Sequence, residues 1–355
     1  MTRLRVLMLG TFKPEYSRND VIRVGLERAG VEVLSQPFPP GTPALRRMRG
    51  VIAHFPRDRH VDLVLVPMSN QLVAPVYWLM GKLYRQPILL DYFLGLTDLA
   101  QDRGGASAPR LAFYRALDRF NIARLDSMTD TAAHRAAFEE LVGISPRRMG
   151  VIPVGINDDL FQYQPLTSPA QGVTVQFVGT FIPFQGVDVI LRAAALLKPD
   201  ADIRFEIIGD GQTYSAARKL AEELELSNVE FQPFVPYDQL AARMRRSTIQ
   251  LGVFGDSFKT RYVVPNKVYE GLALGLPLIT AESPALAEFF TPGEHLLTVP
   301  PGDPEQLAGA IKQLAGSASE RERLGRAAAA RIREAFLPEQ IGLQLKNMIE
   351  PLLAR

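Results

Sequence analysis

Twice along this chain, six short runs that are apolar at nearly every position alternate with longer segments whose apolar residues recur every three or four places. In the first half the runs are LRVLMLG (4–10), VEVLSQ (31–36), DLVLVPM (62–68), PILLDYF (87–93), a short piece near 127–131, and GVIPV (150–154). Helix-period segments fall between them, near 18–29, 43–54, 71–84, 108–124 and 132–142. A strand that is apolar on both faces must be covered on both, and a parallel sheet with right-handed helical crossovers meets that condition. The polar stretch INDDLFQYQPLTSPAQG (156–172) has no periodicity and reads as a linker. Beyond it the pattern restarts, with runs at 173–179, 204–209, 229–235, 248–254, 277–281 and 295–300. Helical segments near 186–197, 213–225, 237–245, 266–274, 303–315 and 319–335 separate these runs. The expected fold is therefore α/β, with two doubly wound Rossmann-like domains, 1–160 and 161–337, facing across a cleft. A last amphipathic helix over 338–353 leaves 338–355 open to completing the first domain.

Composition narrows the chemistry. With 355 residues, 47% hydrophobic and 22% charged, the chain is too apolar and too neutral for disorder. It has no cysteine and four histidines (His54, His60, His134, His295), which excludes thiolate chemistry and leaves little for a metal site, so none is expected. The N-terminal residues read into a strand rather than a signal peptide, and no run is apolar enough to span a membrane. The expectation is a soluble, cytoplasmic protein. Residues 1–160 carry 21 Lys and Arg against 16 Asp and Glu, whereas 161–355 carry 19 against 22. That lean suits an anionic ligand or surface but falls short of a nucleic-acid signature.

Four loops at strand ends are candidate sites. Gly10, Thr11 and Phe12 follow the first strand, with Arg18 and Asn19 next in the chain. Their backbone amides can face an anion or a sugar, or simply make a strand-to-helix turn. In GTFIPFQG (179–186), Gly179, Thr180, Gln185 and Gly186 form a sharp loop into a helix N-terminus, suited to phosphate or equally to a plain Rossmann turn. Gly209 and Gly211 remove side chains that would block a flat base or ribose. The richest block is GDSFKTRYVVPNKVYEGLALGLPLIT (255–280). There Lys259, Arg261 and Lys267 gather at a helix start, with Val264 before it, Pro265 in its first turn and Asn266 as a cap. Glu270 lies one turn further, on the face directed at the cleft. Cations at a helix N-terminus make a diphosphate seat, and a carboxylate one turn deeper can accept bonds from two ribose hydroxyls. The alternative is a solvated charged loop with Glu270 in a surface ion pair.

Taken in order, these segments resemble family 4 glycosyltransferases of the GT-B fold, in a divergent branch carrying the GTFIPFQG and PNKVYE blocks. The likeness runs through GVIPVGINDDLF (150–161), FVGTFIPFQGVDVILRAAALL (177–197), IIGDGQ (207–212), VPNKVYEGLALGLPLITAESPALAEFF (264–290) and HLLTVPPGDPEQLAGAIKQL (295–314). It is strong over 150–336 and mainly architectural before that. The resemblance implies a hexosyltransferase that uses a nucleotide-diphospho-sugar donor, retains anomeric configuration and needs no metal or other cofactor. It places the donor on the C-terminal domain and the acceptor, a glycan, lipid-linked or small molecule, on the N-terminal one. Glu270 becomes the ribose-binding glutamate. Three positions depart from the family: Tyr262 stands for a glutamate, Thr180 for an arginine and Gln185 for a lysine. The missing cations would stabilise the leaving diphosphate, so Lys259, Arg261 and Lys267 are the candidate substitutes, with Arg18 a further one from the opposite domain and Lys259 and Arg261 counted as catalytic.

The N-terminal domain offers less. Asp91 and Asp98 lie where relatives place a histidine, and either can hold an acceptor hydroxyl, with Asp91 as its base, or act as a buried structural carboxylate. Asp130-Thr131 can face the cleft or cap the helix from Ala132. The stretch 43–60 mixes Arg46, Arg47, Arg49, Arg57 and Arg59 with Leu45, Met48, Val51, Ile52 and Phe55. It reads either as a peripheral membrane contact or as a solvated face over a core stripe. Two further functions stay open: a nucleotide-sugar-binding scaffold without catalysis, and a sugar-nucleotide epimerase.

Overall fold

The computed structural model describes residues 3–57, 60–166 and 172–354. Arg59 and the linker segment 167–171 lie outside them. The chain divides into two compact units, residues 1–157 with 336–355, and residues 158–335.

The first unit holds strands β1 (Arg5–Thr11), β2 (Glu32–Phe38), β3 (Leu63–Val66), β4 (Ile88–Asp91), β5 (Asp126–Thr129) and β6 (Met149–Val151). Its helices are α1 (Ser17–Arg28), α2 (Ala44–His54), α3 (Ala74–Tyr84), α4 (Leu96–Arg103), α5 (Ala108–Arg124) and α6 (Ala132–Val142). The second unit holds β7 (Val173–Val178), β8 (Ile203–Ile208), β9 (Val229–Gln232), β10 (Ile249–Leu251), β11 (Leu278–Ala281) and β12 (Leu297–Val299). Its helices are α7 (Val187–Leu196), α8 (Tyr214–Glu223), α9 (Tyr237–Met244), α10 (Asn266–Ala273), α11 (Pro284–Ala287), α12 (Pro304–Gly316) and α13 (Ala318–Ala335). Helix α14 (Pro338–Leu353) returns to the first unit.

Both sheets are parallel throughout, in the orders β2-β1-β3-β4-β5-β6 and β12-β11-β10-β7-β8-β9. The order reverses beside β1 in one sheet and beside β7 in the other, and the loops leaving those strands are where ligands of doubly wound sheets bind. Side-chain alternation builds each core. In the first unit Val6 and Met8 of β1 and Leu63 and Leu65 of β3 meet Val21, Ile22 and Leu26 of α1 and Ile341, Leu345 and Ile349 of α14. Helices α2, α3 and α5 follow from right-handed crossovers onto the opposite face.

Helix α14 lies against α1 at a glycine pair. A Cβ on Gly342 would run into the Gly25 carbonyl, and one on Gly25 into the Pro338 carbonyl oxygen. Local capping follows the sequence where the signal is local: the Thr131 hydroxyl accepts from the His134 amide at 2.8 Å and starts α6. The Asp303 carboxylate does the same for α12, accepting from Gln306 at 2.9 Å. Helix α4 is one the periodicity does not announce. Its first amides, Leu96 and Thr97, donate to Asp118 at 3.2 and 2.7 Å, a carboxylate supplied by α5.

Candidate functional site

The loop after β7 shapes the site. Phe181 turns inward and packs against Phe177, Tyr214 and Phe231, which fixes Gly179 and Thr180 above it. Gly186 has φ +66°, and a Cβ there would strike the Phe254–Gly255 backbone, so the loop closes only with glycine at that place. Gly209 and Gly211 receive a different role from the expected one. A Cβ on either would collide with the Gly179 carbonyl or the Phe181 backbone, and Phe181 N donates to Asp210 O at 2.9 Å. These glycines let one loop lie on another, rather than making room for a base.

Helix α10 begins at Asn266, as the helical segment 266–274 expects, but its cap differs from the expected one. Pro265 is the N-cap (φ −73°, ψ 153°) and Asn266 is already the first helical residue, so no side chain caps the helix. Its first-turn amides are oriented for an anion, with the helix dipole behind them. Lys267 is buried, and its Nζ donates to Gln185 Oε1. The ammonium stands 3.7 Å from the centroid of the Phe177 ring, and a Cβ on Gly179 would come within 2.5 Å of it. The departure at Gln185 now has a physical reason. A lysine at 185 would meet Lys267 head-on, whereas the glutamine amide accepts its hydrogen bond. The cation reaches this loop from position 267.

Glu270 lies one turn on and is also buried. Burial pushes its carboxyl up to about 7, while a hydrogen bond from Tyr237 and the charge of Lys267 act in the opposite sense. Burial likewise holds the Lys267 ammonium well below the usual lysine range, with Glu270 opposing the fall. The structure thus brings Gly179, Gln185, Lys267 and Glu270 together. Lys259 and Arg261 sit on the preceding 3-10 turn (Phe258–Arg261); Lys259 is buried, and Arg261 is exposed with its guanidinium 5.4 Å from the Phe258 ring. Tyr262, where the resemblance expects a glutamate, is a buried ring set edge-on to Phe258. A pocket of about 520 Å³ opens beside Pro183, Asp188 and Ser257, and Lys267 and Glu270 do not line it.

Sequence reasoning does not single out Tyr237 or Phe177. Tyr237 starts α9, far along the chain from Glu270, and Phe177 looks like any core residue of a buried strand. Only the tertiary fold makes them neighbours of the charged pair.

In the first unit the structure corrects several expectations. Arg18 and Asp91 are both fully buried and bound to each other, Nε to Oδ2 at 2.8 Å and Nη2 to Oδ1 at 2.9 Å. Arg18 also donates to the Ile152 carbonyl at 3.1 Å and stacks on Phe93. A carboxylate held bidentately by a buried guanidinium is a structural group, so Asp91 is not a base and Arg18 is not a diphosphate ligand. Thr11 is likewise engaged: its amide donates to Asn70 Oδ1 at 2.9 Å, and Asn70 Nδ2 returns a bond to the Thr11 carbonyl at 3.0 Å. Gly10 (φ +146°) is where a side chain would collide with Asn70 and Tyr77, and Phe12 is part of the core under α1. Asp98 is buried in the first turn of α4. Asp130 pairs with His134, Oδ1 to Nδ1 at 2.5 Å, and both are fully buried.

A helix N-terminus with no side-chain cap, a buried cation beside a glycine loop and a buried carboxylate one turn on are groups that can take an anion next to a diol. Residues 161–331, most of the second unit, match the family model of the glycosyl transferases group 1. Among curated proteins, the chain is 26% identical over 306 residues to the MMP alpha-(1->4)-mannosyltransferase of Mycolicibacterium hassiacum, covering 85% of this chain and 65% of that protein. It is 29% identical over 207 residues to a D-inositol 3-phosphate glycosyltransferase of Acidothermus cellulolyticus, covering 53% of this chain and 45% of that one. Among solved structures it resembles the sucrose-phosphate synthase of Thermosynechococcus elongatus (TM-score 0.78, 18% identity, 99% of this chain and 100% of that one). It also resembles Anabaena HepE in complex with UDP-glucose (TM-score 0.73, 16% identity, 98% and 100%). The α/β architecture with two parallel six-stranded sheets is that of GT-B glycosyltransferases.

Proposed function

We propose that the protein is a glycosyltransferase that moves a sugar from a nucleotide-diphospho-sugar to an acceptor hydroxyl, with the donor on the second unit. The observation that carries this reading is the convergence of Lys267, the α10 N-terminus and Glu270 on the β7–α7 loop. As the bond between the anomeric carbon and the diphosphate breaks, negative charge grows on the leaving oxygen. The Lys267 ammonium and the first amides of α10 are preorganised to receive it, so the reading requires no metal. Glu270, when ionised, accepts from the two ribose hydroxyls. The complex of HepE with UDP-glucose makes UDP-sugars the first donors to try. Retention of configuration, and an acceptor that is a glycan or lipid-linked, follow the family resemblance; on that reading the basic stretch 43–60 is a peripheral contact with the membrane bearing the acceptor.

The direct test is incubation with UDP-, GDP- and dTDP-sugars, measuring free nucleotide with and without acceptors. A transferase releases nucleotide in proportion to added acceptor. A scaffold raises its melting temperature with nucleotide but releases none, and an epimerase alters the sugar with no acceptor present. Glu270→Ala should weaken donor binding about 10–100-fold, as expected for losing charge-assisted hydrogen bonds; unchanged affinity would remove Glu270 from the site.

The buried pair also predicts a pH profile. Ribose binding needs the ionised carboxylate, so kcat/KM should rise with pH through about 7, as Glu270 loses its proton. Diphosphate binding needs the ammonium, so the profile should fall again below the usual lysine range. The two limbs belong to the coupled pair. Glu270→Gln should flatten the ascending limb; an ascending limb unchanged in that variant would assign it to another group.

A further inference from the structure

The β7–α7 loop has a second side. Gln185 turns toward Lys267, whereas Ile182 and Pro183 of the same turn line the pocket of about 520 Å³ that Lys267 and Glu270 do not reach. This pocket opens between the starts of α7 and α8, and the loop after β10 completes it with Gly302. Backbone contacts fix its walls. A Cβ on Gly255 would strike the Pro183 and Phe184 carbonyl oxygens, and the Gly302 amide donates to the Phe254 carbonyl at 2.8 Å. On α8 the wall is made by Ala216 and Ala217, whose short side chains leave the space open. The floor is apolar, with Val187 and Ala217 buried and Leu220 beside them. Around it stand four oxygen-bearing side chains, those of Asp188, Thr213, Asp256 and Ser257. Asp188 lies in the first turn of α7 and Asp256 on the loop after β10, and both are exposed. Neither carboxylate makes a hydrogen bond or ion pair among the described residues, and among these no lysine, arginine, histidine or aromatic ring lines the pocket.

We infer that this pocket binds an uncharged saccharide, at a site separate from the diphosphate seat. A pyranose ring carries C–H groups on its faces and hydroxyl donors around its edge. Val187, Ala217 and Leu220 cover a face of the ring, and the carboxylates of Asp188 and Asp256 accept from its hydroxyls. The volume lies within the range of small-ligand sites. Charge decides against other occupants. A phosphate or a carboxylate would meet two acids and no cation. A flat base would find no ring to stack on, and an apolar ligand would desolvate two carboxylates without pairing them. A small ammonium ion would pair with the acids and leave the apolar floor uncovered. On the transferase reading the sugar held here is not the one transferred, because Lys267 and Glu270 lie outside the pocket. The binding itself does not rest on that reading, since it is measured without donor or acceptor.

The test is saturation-transfer difference NMR of the full chain, titrated with methyl α-glucoside, maltose and cellobiose and, as a cationic control, spermidine. Saturable binding of at least one of the three sugars is expected. Ala216→Trp places an indole in the pocket from an exposed position of α8 and should abolish that binding. Asp188→Asn/Asp256→Asn should weaken it at least about tenfold, as for the loss of charge-assisted hydrogen bonds. Both variants change exposed positions and should melt like the parent. Affinity for UDP should be the same in Ala216→Trp as in the parent, which separates loss of this site from loss of the diphosphate seat. Absence of binding by all three sugars would overturn the inference, as would sugar binding that Ala216→Trp leaves intact. Binding of spermidine in place of the sugars would assign the pocket to a cation and overturn it as well.

Discussion

Lys267→Met should lower kcat about 10²–10³-fold while leaving the melting temperature unchanged or slightly raised. The first figure is what loss of one preorganised donor to a developing oxyanion costs. The second follows from burial: the ammonium is held in a desolvated place against the Phe177 ring and the Gln185 amide, and an unbranched apolar side chain of similar length fills that place without the desolvation cost. A structural lysine would show the reverse, a lower melting temperature with modest kinetic change. The variant has a second signature. Lys267 is one of two influences holding the Glu270 carboxyl down, so its removal should move the ascending limb of the pH profile upward from about 7. An ascending limb that stays in place would mean that the two groups do not interact.

Gly342→Val should destabilise the first unit by about 3–5 kcal/mol, at the upper end of overpacking effects. The cause is backbone meeting backbone. The new Cβ points at the Gly25 carbonyl, which no rotamer change can move, so α14 must separate from α1. Separation loosens Ile341, Leu345 and Ile349, all fully buried in the core shared with α1 and the sheet. Loss of that much stability is a large part of what a domain has. Chemical denaturation followed by circular dichroism measures it. A midpoint shift no larger than that of the exposed control Leu343→Val would show that the helices accommodate the side chain.

The sequence makes some of this legible and hides the rest for physical reasons. Each of the twelve strands among the described residues overlaps one of the runs, because a strand covered on both faces must be largely apolar. The start of α6 is readable since Thr131 and the amide it caps are three residues apart. The block around α10 is readable because proline, cations and carboxylate fall within one short window. Asp91 is not readable: its partner Arg18 is 73 residues away, and nothing in LLDYF distinguishes a paired carboxylate from a base. Helix α4 is missed since the acid at its N-terminus, Asp118, belongs to another helix. Gly209 and Gly211 look like ligand positions because a glycine needed for loop-on-loop contact and one needed for a ligand are the same residue. For the cations missing at Thr180 and Gln185 the sequence offers three substitutes, Lys259, Arg261 and Lys267, and only the fold shows that Lys267 reaches Gln185 across the loop.

Central to this account is the seat of the diphosphate at Lys267 and the head of α10. Isothermal titration of the parent and Lys267→Met with UDP, and with uridine as the phosphate-free control, tests it most directly, GDP and dTDP with their nucleosides being substituted if UDP does not bind. The account predicts at least about a tenfold loss of nucleoside diphosphate affinity in the variant, as for one charge-assisted bond, with nucleoside affinity unchanged. Equal diphosphate affinity in the two proteins, or an equal loss for nucleoside and nucleotide, would contradict it.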